Sequence, residues 1–135
     1  MKKIHLKPAF SDNRGDITDI IDHTEIEAVT IITFNPGVVR GNHYHKETVQ
    51  WNYLISGKVL YRSKSYNGKT TSTILNPGDL IISKAKEIHA MKGLKKSLLL
   101  VLTRGPRGGK EYESDTFRDK KTLINSDSIK KSRDK

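Results

Sequence analysis

The sequence predicts an all-β domain, either a barrel or a two-sheet sandwich, and three observations support this prediction. Segments rich in β-branched and aromatic residues recur along the chain, about nine in number. Turn signals separate them at short intervals, as at Asn35-Pro36-Gly37, Asn67-Gly68 and Asn76-Pro77-Gly78. No segment before the C-terminal region has a convincing helical period.

Each predicted strand begins after one turn signal and ends at the next. In chain order the strands are DITDII (16–21), EAVTIITF (27–34), VVRGNHYH (38–45), VQWNYLIS (49–56), KVLYRSKSY (58–66), KTTSTIL (69–75), DLIISK (79–84), IHAMKG (88–93) and SLLLVLTRG (97–105). Alternation puts Trp51, Tyr53 and Ile55 on one face of their strand, where they are predicted to be core or dimer contacts. Either Tyr61 or Arg62 faces the interior, and the sequence does not say which.

Length and charge indicate one domain followed by a tail. The chain has 135 residues and a net charge of +10. Residues 1–117 form the predicted β-domain, and residues 118–135 form a basic tail of charge +4 that we expect to be flexible. The basic residues form no stripe, and no apolar run approaches a membrane span, so neither nucleic acid nor a membrane is an expected partner. The chain has no cysteine, which excludes thiolate metal sites and makes a cytoplasmic location the expectation.

Two histidines stand one residue apart in the third predicted strand. His43 and His45 project to the same face of that strand, so their imidazoles could share one divalent cation. Gln50 reaches the same face only if the polar turn between the strands resets the alternation. His89 lies on a later strand, and only the tertiary fold could bring it to the pair. The alternative is that these histidines form hydrogen bonds in a polar cavity without a metal.

The spacing of these residues resembles the two sequence motifs of the cupin superfamily. The first motif is matched by Gly37, His43, His45, Gln50 and Gly57, and the second by Gly78 and His89. Lys84-Ala85-Lys86 replaces the usual Pro-x-Gly, and Gln50 stands where a carboxylate is usual. The resemblance implies a double-stranded β-barrel (cupin jelly roll) of two antiparallel sheets. It also implies a metal site formed by His43, His45, Gln50 and His89, suited to zinc, iron, nickel, copper or manganese.

A second resemblance is narrower. The segments Phe10–Ile21 and Val39–Lys46 resemble those of sugar-nucleotide cupins, which include dTDP-4-keto-6-deoxysugar 3,4-ketoisomerases and dTDP-sugar 3,5-epimerases. The ketoisomerases need no metal, and the resemblance implies that His43 and His45 are acid/base catalysts. It further implies that Arg40, Arg14 and Lys46 bind the substrate, with a phosphate held by an arginine. Arg14 fits a surface turn equally well. Single-domain cupins commonly form homodimers, so a homodimer is expected by analogy.

Three functions are therefore compatible with the sequence. The favoured one is a protein that either binds a nucleotide-linked keto-sugar or isomerises or epimerises it by histidine proton transfer. The second is a metal-dependent cupin enzyme, a dioxygenase or an isomerase, with three histidines and a glutamine. The third is a cupin that binds a small molecule without catalysis.

Overall fold

The part of the chain that the structure describes folds into twelve short strands. The structure, a computed structural model, describes residues 2–65, 68–105, 116–118 and 123–124. The strands are β1 (Lys3–His5), β2 (Phe10–Asp12), β3 (Gly15–Ile17), β4 (Ala28–Phe34), β5 (Val39–His45), β6 (Val49–Ser56), β7 (Val59–Lys64), β8 (Thr70–Leu75), β9 (Asp79–Ser83), β10 (Ile88–Gly93), β11 (Ser97–Arg104) and β12 (Thr116–Arg118). Among the described residues, we find no helix with the length and apolar character that a membrane span requires.

Two five-stranded antiparallel sheets face each other. One has the order β1-β9-β6-β11-β4 and the other β12-β5-β10-β7-β8, while β2 and β3 form a separate hairpin. Consecutive strands repeatedly change sheet, as β4 to β5 and β6 to β7 do, which is typical of a jelly roll. The predicted all-β fold of two antiparallel sheets is confirmed. We call the first the β6 sheet and the second the histidine sheet.

The space between the sheets is apolar at one end and polar at the other. The apolar end is a cluster of nearly inaccessible side chains contributed by both sheets: Phe34, Leu54, Val59, Tyr61, Leu75, Ile81, Met91, Leu99 and Val101. Along β6 the inward side chains change from Gln50 and Asn52 to Leu54. The same change runs along β11, from Thr103 to Val101. Burial of the apolar end stabilises the fold and leaves the polar end available for chemistry.

The first and last strands differ from the sequence prediction. The segment predicted as a strand over residues 16–21 pairs only as far as Ile17, because its partner β2 is three residues long. The strands β1, β2 and β12 were not predicted at all. Each has three residues, which is too short for alternation or composition to mark. The predicted hairpin turn at Asn67-Gly68 includes Asn67, which lies outside the described residues.

The predicted domain boundary at residue 117 falls within β12. That strand adds to the edge of the histidine sheet by pairing with β5. Within the predicted tail, Leu123 and Ile124 also contact the domain, and Ile124 is 4% exposed. The remaining tail residues, apart from the backbone of Arg118, lie outside the described part of the chain. Flexibility of the tail as a whole stays a prediction.

Gly57 allows the chain to cross from β6 in one sheet to β7 in the other. Its φ is +95°, and an added Cβ would lie 2.5 Å from the Lys96 carbonyl oxygen. Gly68 has a similar φ of +94°, but no atom lies within 4 Å of an added Cβ. Both glycines therefore have a positive φ, but only Gly57 lacks room for a side chain.

We predict that Gly57→Ala lowers the free energy of unfolding by about 2–5 kcal/mol, because positive φ and a backbone clash both oppose the side chain. Gly68→Ala, the control, costs about 1–2 kcal/mol from the backbone conformation alone. Urea denaturation of both variants measures the difference. Equal losses would show that close packing at Gly57 does not matter.

Candidate active site

Three histidines from the histidine sheet converge at the polar end of the interior. The ring centroids of His43 and His45 are 4.8 Å apart, those of His43 and His89 are 4.8 Å apart, and those of His45 and His89 are 5.7 Å apart. One nitrogen from each ring lies within 4.8 Å of the others. His45 and His89 are each 2% exposed, while His43 is partly exposed. The distant histidine therefore joins the pair, and His43 is the member that an entering molecule meets most easily.

Strand pairing and a bulge determine this convergence. His89 on β10 lies directly opposite His43 on β5, and the register then shifts so that Ala90 pairs with Gly41. Gly41 and Asn42 have φ values of +100° and +59°. At Gly41 a Cβ would lie 2.8 Å from the His89 carbonyl oxygen, so glycine permits the close approach of the two strands. The backbone amide of Lys86 also donates a hydrogen bond to the carbonyl of His45.

His89 is held neutral by its surroundings. Burial, together with the neighbouring His43 and His45, lowers its pKa from 6.5 to about 3. Its Nδ1 lies 3.4 Å from the carbonyl oxygen of Glu87. The Tyr61 ring lies parallel to the imidazole, with a centroid distance of 6.4 Å and an interplanar angle of 4°. A neutral imidazole can accept a hydrogen bond or bind a metal through its second nitrogen.

A hydrogen-bond network behind His89 connects the two sheets. The Tyr61 hydroxyl lies 2.8 Å from Ser83 Oγ, and Asn52 Nδ2 donates to the same oxygen at 2.9 Å. Tyr61 also donates to Glu87 Oε1 at 3.4 Å. Burial raises the pKa of the Tyr61 phenol and that of the Glu87 carboxyl, so both protons are retained more strongly than in water. Sequence reasoning left Tyr61 undecided and missed Ser83 and Glu87, because their convergence depends on the pairing of strands across two sheets.

Gln50 faces the interior from the opposite sheet. It is 7% exposed and pairs with Ser83 on one side and Thr103 on the other. Within the described part of the chain, Asn52 Oδ1 and Thr103 Oγ1 are buried without a hydrogen-bond partner. The β6 sheet therefore presents acceptor and hydroxyl groups toward the polar end of the interior. Whether Gln50 acts as a ligand stays a prediction.

Arg40 lies on the histidine strand, three residues before His43. Its guanidinium carbon is 5.6 Å from the centroid of the Phe34 ring, and its Nη2 donates to the carbonyl oxygen of Thr33 at 3.3 Å. Phe34 and Thr33 belong to β4, at the edge of the other sheet. Arg40 therefore connects the histidine strand to the edge of the β6 sheet, and its side chain is exposed.

Lys46 and Arg14 are not brought to the histidine cluster. Lys46 lines a cavity of about 990 Å³ together with Tyr44, Lys64, Lys86 and Ile88. Tyr44 and Ile88 alternate with the inward histidines, so this cavity lies on the outer side of the histidine sheet. Arg14 is in the exposed β2–β3 hairpin, where its Nη2 lies 2.6 Å from Asp12 Oδ2. That hydrogen bond lowers the pKa of Asp12.

Comparison with known proteins supports the sequence resemblance. The sequence model described as the polysaccharide biosynthesis C-terminal domain matches residues 10–92. No curated protein sequence matches this chain. A structure of the QdtA 3,4-ketoisomerase from Thermoanaerobacterium thermosaccharolyticum, solved with TDP, is 27% identical, with 97% of this chain and 94% of that chain covered and a TM-score of 0.73.

Two further structures share the fold at lower identity. The dTDP-4-dehydrorhamnose 3,5-epimerase from Sulfolobus tokodaii is 18% identical, with a TM-score of 0.71 over 86% of this chain and 75% of that chain. The capsular polysaccharide assembling protein CapF from Staphylococcus aureus is 19% identical, with a TM-score of 0.62 over 84% of this chain and 32% of that chain. The predicted resemblance to sugar-nucleotide cupins is confirmed.

We predict that His89 makes the protein less stable as the pH is lowered. Its pKa is about 3 in the folded chain and 6.5 ordinarily, so between these values the unfolded chain binds a proton that the folded chain does not. The free energy of unfolding therefore falls with decreasing pH by about 1.4 kcal/mol per pH unit from this residue, and it is unaffected above the ordinary value.

Urea denaturation of chelator-treated protein between about pH 7 and pH 5 tests this, because the ordinary histidine pKa lies within that range. His89→Gln is the comparison, since glutamine is polar and does not titrate. The free energy of unfolding should depend less steeply on pH in the variant, because the proton that His89 binds on unfolding is no longer taken up. Identical slopes would contradict a neutral, buried His89.

Proposed function

Because the chain belongs to the polysaccharide biosynthesis C-terminal domain family, we propose that it is an enzyme that isomerises or epimerises a nucleotide-linked keto-sugar. The observation that carries this proposal is the cluster of His43, His45 and His89 at the polar end of a jelly roll. The proposal is also supported by the structure of a 3,4-ketoisomerase that is 27% identical to this chain, with 97% of this chain covered.

The proposed chemistry is proton transfer by His43 and His45. A ketone acidifies the hydrogen on the neighbouring carbon, and an imidazole can remove that proton to leave an enediolate. The proton then returns either to the former carbonyl carbon, while the hydroxyl proton passes to the neighbouring oxygen so that the ketone moves, or to the opposite face of the same carbon, which inverts it. Imidazole suits both steps because its ordinary pKa lies near neutral pH. His43, the more accessible ring, is the group we expect to contact the sugar first.

The proposed substrate carries a nucleoside diphosphate. A structure of QdtA holds TDP, and another holds TDP-4-keto-6-deoxyglucose. In this chain we propose that Arg40 contacts such a group, and its exposed side chain on the histidine strand supports this role. Roles for Arg14 and Lys46 in substrate binding remain predictions, since both lie away from the histidines. The cytoplasmic location stays a prediction as well.

A metal-dependent enzyme is the second candidate, because three imidazole nitrogens lie within 4.8 Å of one another. That donor set fits a divalent transition metal such as zinc, iron, nickel, copper or manganese. His43, His45 and His89 would hold the ion, with Gln50 as the predicted fourth ligand. A bound metal would supply Lewis-acid polarisation of a substrate carbonyl.

We also propose that the enzyme is a homodimer that buries the outer face of the β6 sheet. Two of the outward side chains on its edge strand β4, Val29 and Ile31, are 64% and 63% exposed. Cross-strand pairing extends this apolar surface through Leu100 to Tyr53 on the next two strands. A contiguous apolar sheet face of this kind is typical of a surface that another chain covers.

We predict that His43→Asn and His45→Asn each lower kcat by about 10²–10⁴-fold, because each removes a group that transfers the substrate proton. NMR of TDP-4-keto-6-deoxyglucose in deuterated buffer measures both conversion and deuterium incorporation at the carbons beside the ketone.

His23→Asn is the matched control. His23 is exposed in the loop before β4 and has a φ of 48°, which asparagine tolerates. This variant should keep wild-type activity. Turnover that vanishes on chelation and returns with added metal would favour the metal-dependent candidate. Binding of TDP with no conversion or deuterium incorporation would favour a non-catalytic binding protein.

We predict that Ile31→Lys converts the dimer to a monomer, because burying an unpaired ammonium in an apolar interface is strongly unfavourable. Thr70→Lys adds the same charge on the exposed edge strand β8 of the histidine sheet and should leave the dimer intact. Light scattering coupled to size-exclusion chromatography reports the mass. A wild-type monomer, or a dimer retained in Ile31→Lys, would overturn this interface.

A further inference from the structure

The C-terminal part of the chain returns to the strand that carries two of the three histidines. β12 pairs with β5, so that Thr116 lies opposite His45 and Arg118 opposite His43. Phe117 stacks on Tyr44 with a centroid distance of 5.3 Å and an interplanar angle of 22°. β5 would otherwise lie at the edge of its sheet, because its other neighbour is β10.

A second contact lies a few residues further along the chain, at the bulge that precedes His43. The side chain of Asn42 accepts hydrogen bonds from the amides of Leu123 at 2.9 Å and Ile124 at 3.1 Å, and it donates one to the Ile124 carbonyl at 3.1 Å. The Arg62 guanidinium donates to the Leu123 carbonyl at 2.8 Å. Ile124 itself is 4% exposed, so its side chain is packed against the sheet.

Asn42 combines two properties that few residues share. Its φ of +59° lies in the left-handed region, which asparagine tolerates better than most residues. Its amide supplies both an acceptor and donors, and all three bonds go to a backbone about eighty residues away in sequence. The residue thus shapes the bulge and fixes the C-terminal segment to it at the same point.

We propose that Thr116–Arg118 and Leu123–Ile124 form a C-terminal strap that holds the histidine strand in place, with Asn42 as the positioning residue that anchors it. Asn42 acts through the backbone of the strap, to which its side chain is hydrogen-bonded. Pairing by β12 restrains the backbone of His43 and His45 from one side, and the Asn42 contacts restrain the bulge that sets their direction. The effect on catalysis rests on the proposed function, whereas the restraint of the strand does not.

The test uses the full-length chain with two substitutions at residue 42. Asn42→Gly removes all three side-chain hydrogen bonds while glycine keeps the positive φ. Asn42→Asp keeps the two acceptor bonds and loses the donated one. Hydrogen–deuterium exchange is followed by mass spectrometry in peptides that contain residues 39–46 or residue 124. Asn35→Gly, in the exposed turn after β4, is the control for a new glycine.

We expect exchange in both peptides to accelerate about tenfold or more in Asn42→Gly, since local opening becomes easier when the strap is released. Asn42→Asp should give a smaller increase, and Asn35→Gly none. In turnover assays, Asn42→Gly should lower kcat about tenfold or more with little change in KM, because misplaced catalytic groups slow chemistry rather than binding.

Two results would overturn the proposal. Unchanged exchange in both peptides of Asn42→Gly would mean that Asn42 does not anchor the strap. Faster exchange at residue 124 alone would mean that the strap docks without restraining the histidines. If Asn42→Gly does not fold, Ile124→Asp releases the strap from its other side and must accelerate exchange at residues 39–46. A wild-type chain without activity would refute the proposed function, while the exchange data would still decide on the strap.

Discussion

The neutrality of His89 is the constraint on which the candidate site depends. An imidazole that is fully enclosed and next to two others cannot gain a proton without a large loss of solvation and added repulsion. His89 therefore remains available as an acceptor or a ligand, and the more accessible His43 is left as the ring that meets solvent. The surrounding structure has to provide this enclosure, which explains why the site lies between two sheets and not on a loop.

The division of the interior into an apolar end and a polar end offsets the free-energy cost of enclosing these histidines. Apolar side chains from both sheets fill one end completely, and their burial supplies the favourable free energy that buried amides and imidazoles do not. The polar end is then connected internally through Tyr61, Ser83 and Asn52. Those hydrogen bonds satisfy polar atoms of Tyr61, Ser83 and Asn52 that are buried in the interior.

The strands and the histidine pair could be predicted because their signals are local. Turn chemistry marked the ends of β4 to β11, and alternation placed His43 and His45 on one face. The orientation of Tyr61 could not be predicted, because alternation gives two phases and only the pairing of β7 with β10 selects one. The outward direction of Lys46 follows from the same alternation that directs Tyr44 outward, and a residue-by-residue match to a family motif does not indicate it. The β12 pairing and the Asn42 contacts were beyond prediction, since they join parts of the chain far apart in sequence.

Tyr61 belongs both to the hydrophobic cluster and to the hydrogen-bond network, so it connects the packing of the core to the candidate site. Its ring is packed among apolar side chains and lies parallel to His89, while its hydroxyl is bonded to the opposite sheet. A change in the separation of the two sheets would therefore act on a phenol that lies beside an imidazole of the site. Substitutions deep in the core, far from any substrate, can alter turnover through this phenol, so random mutagenesis for activity should recover positions that no list of pocket residues contains.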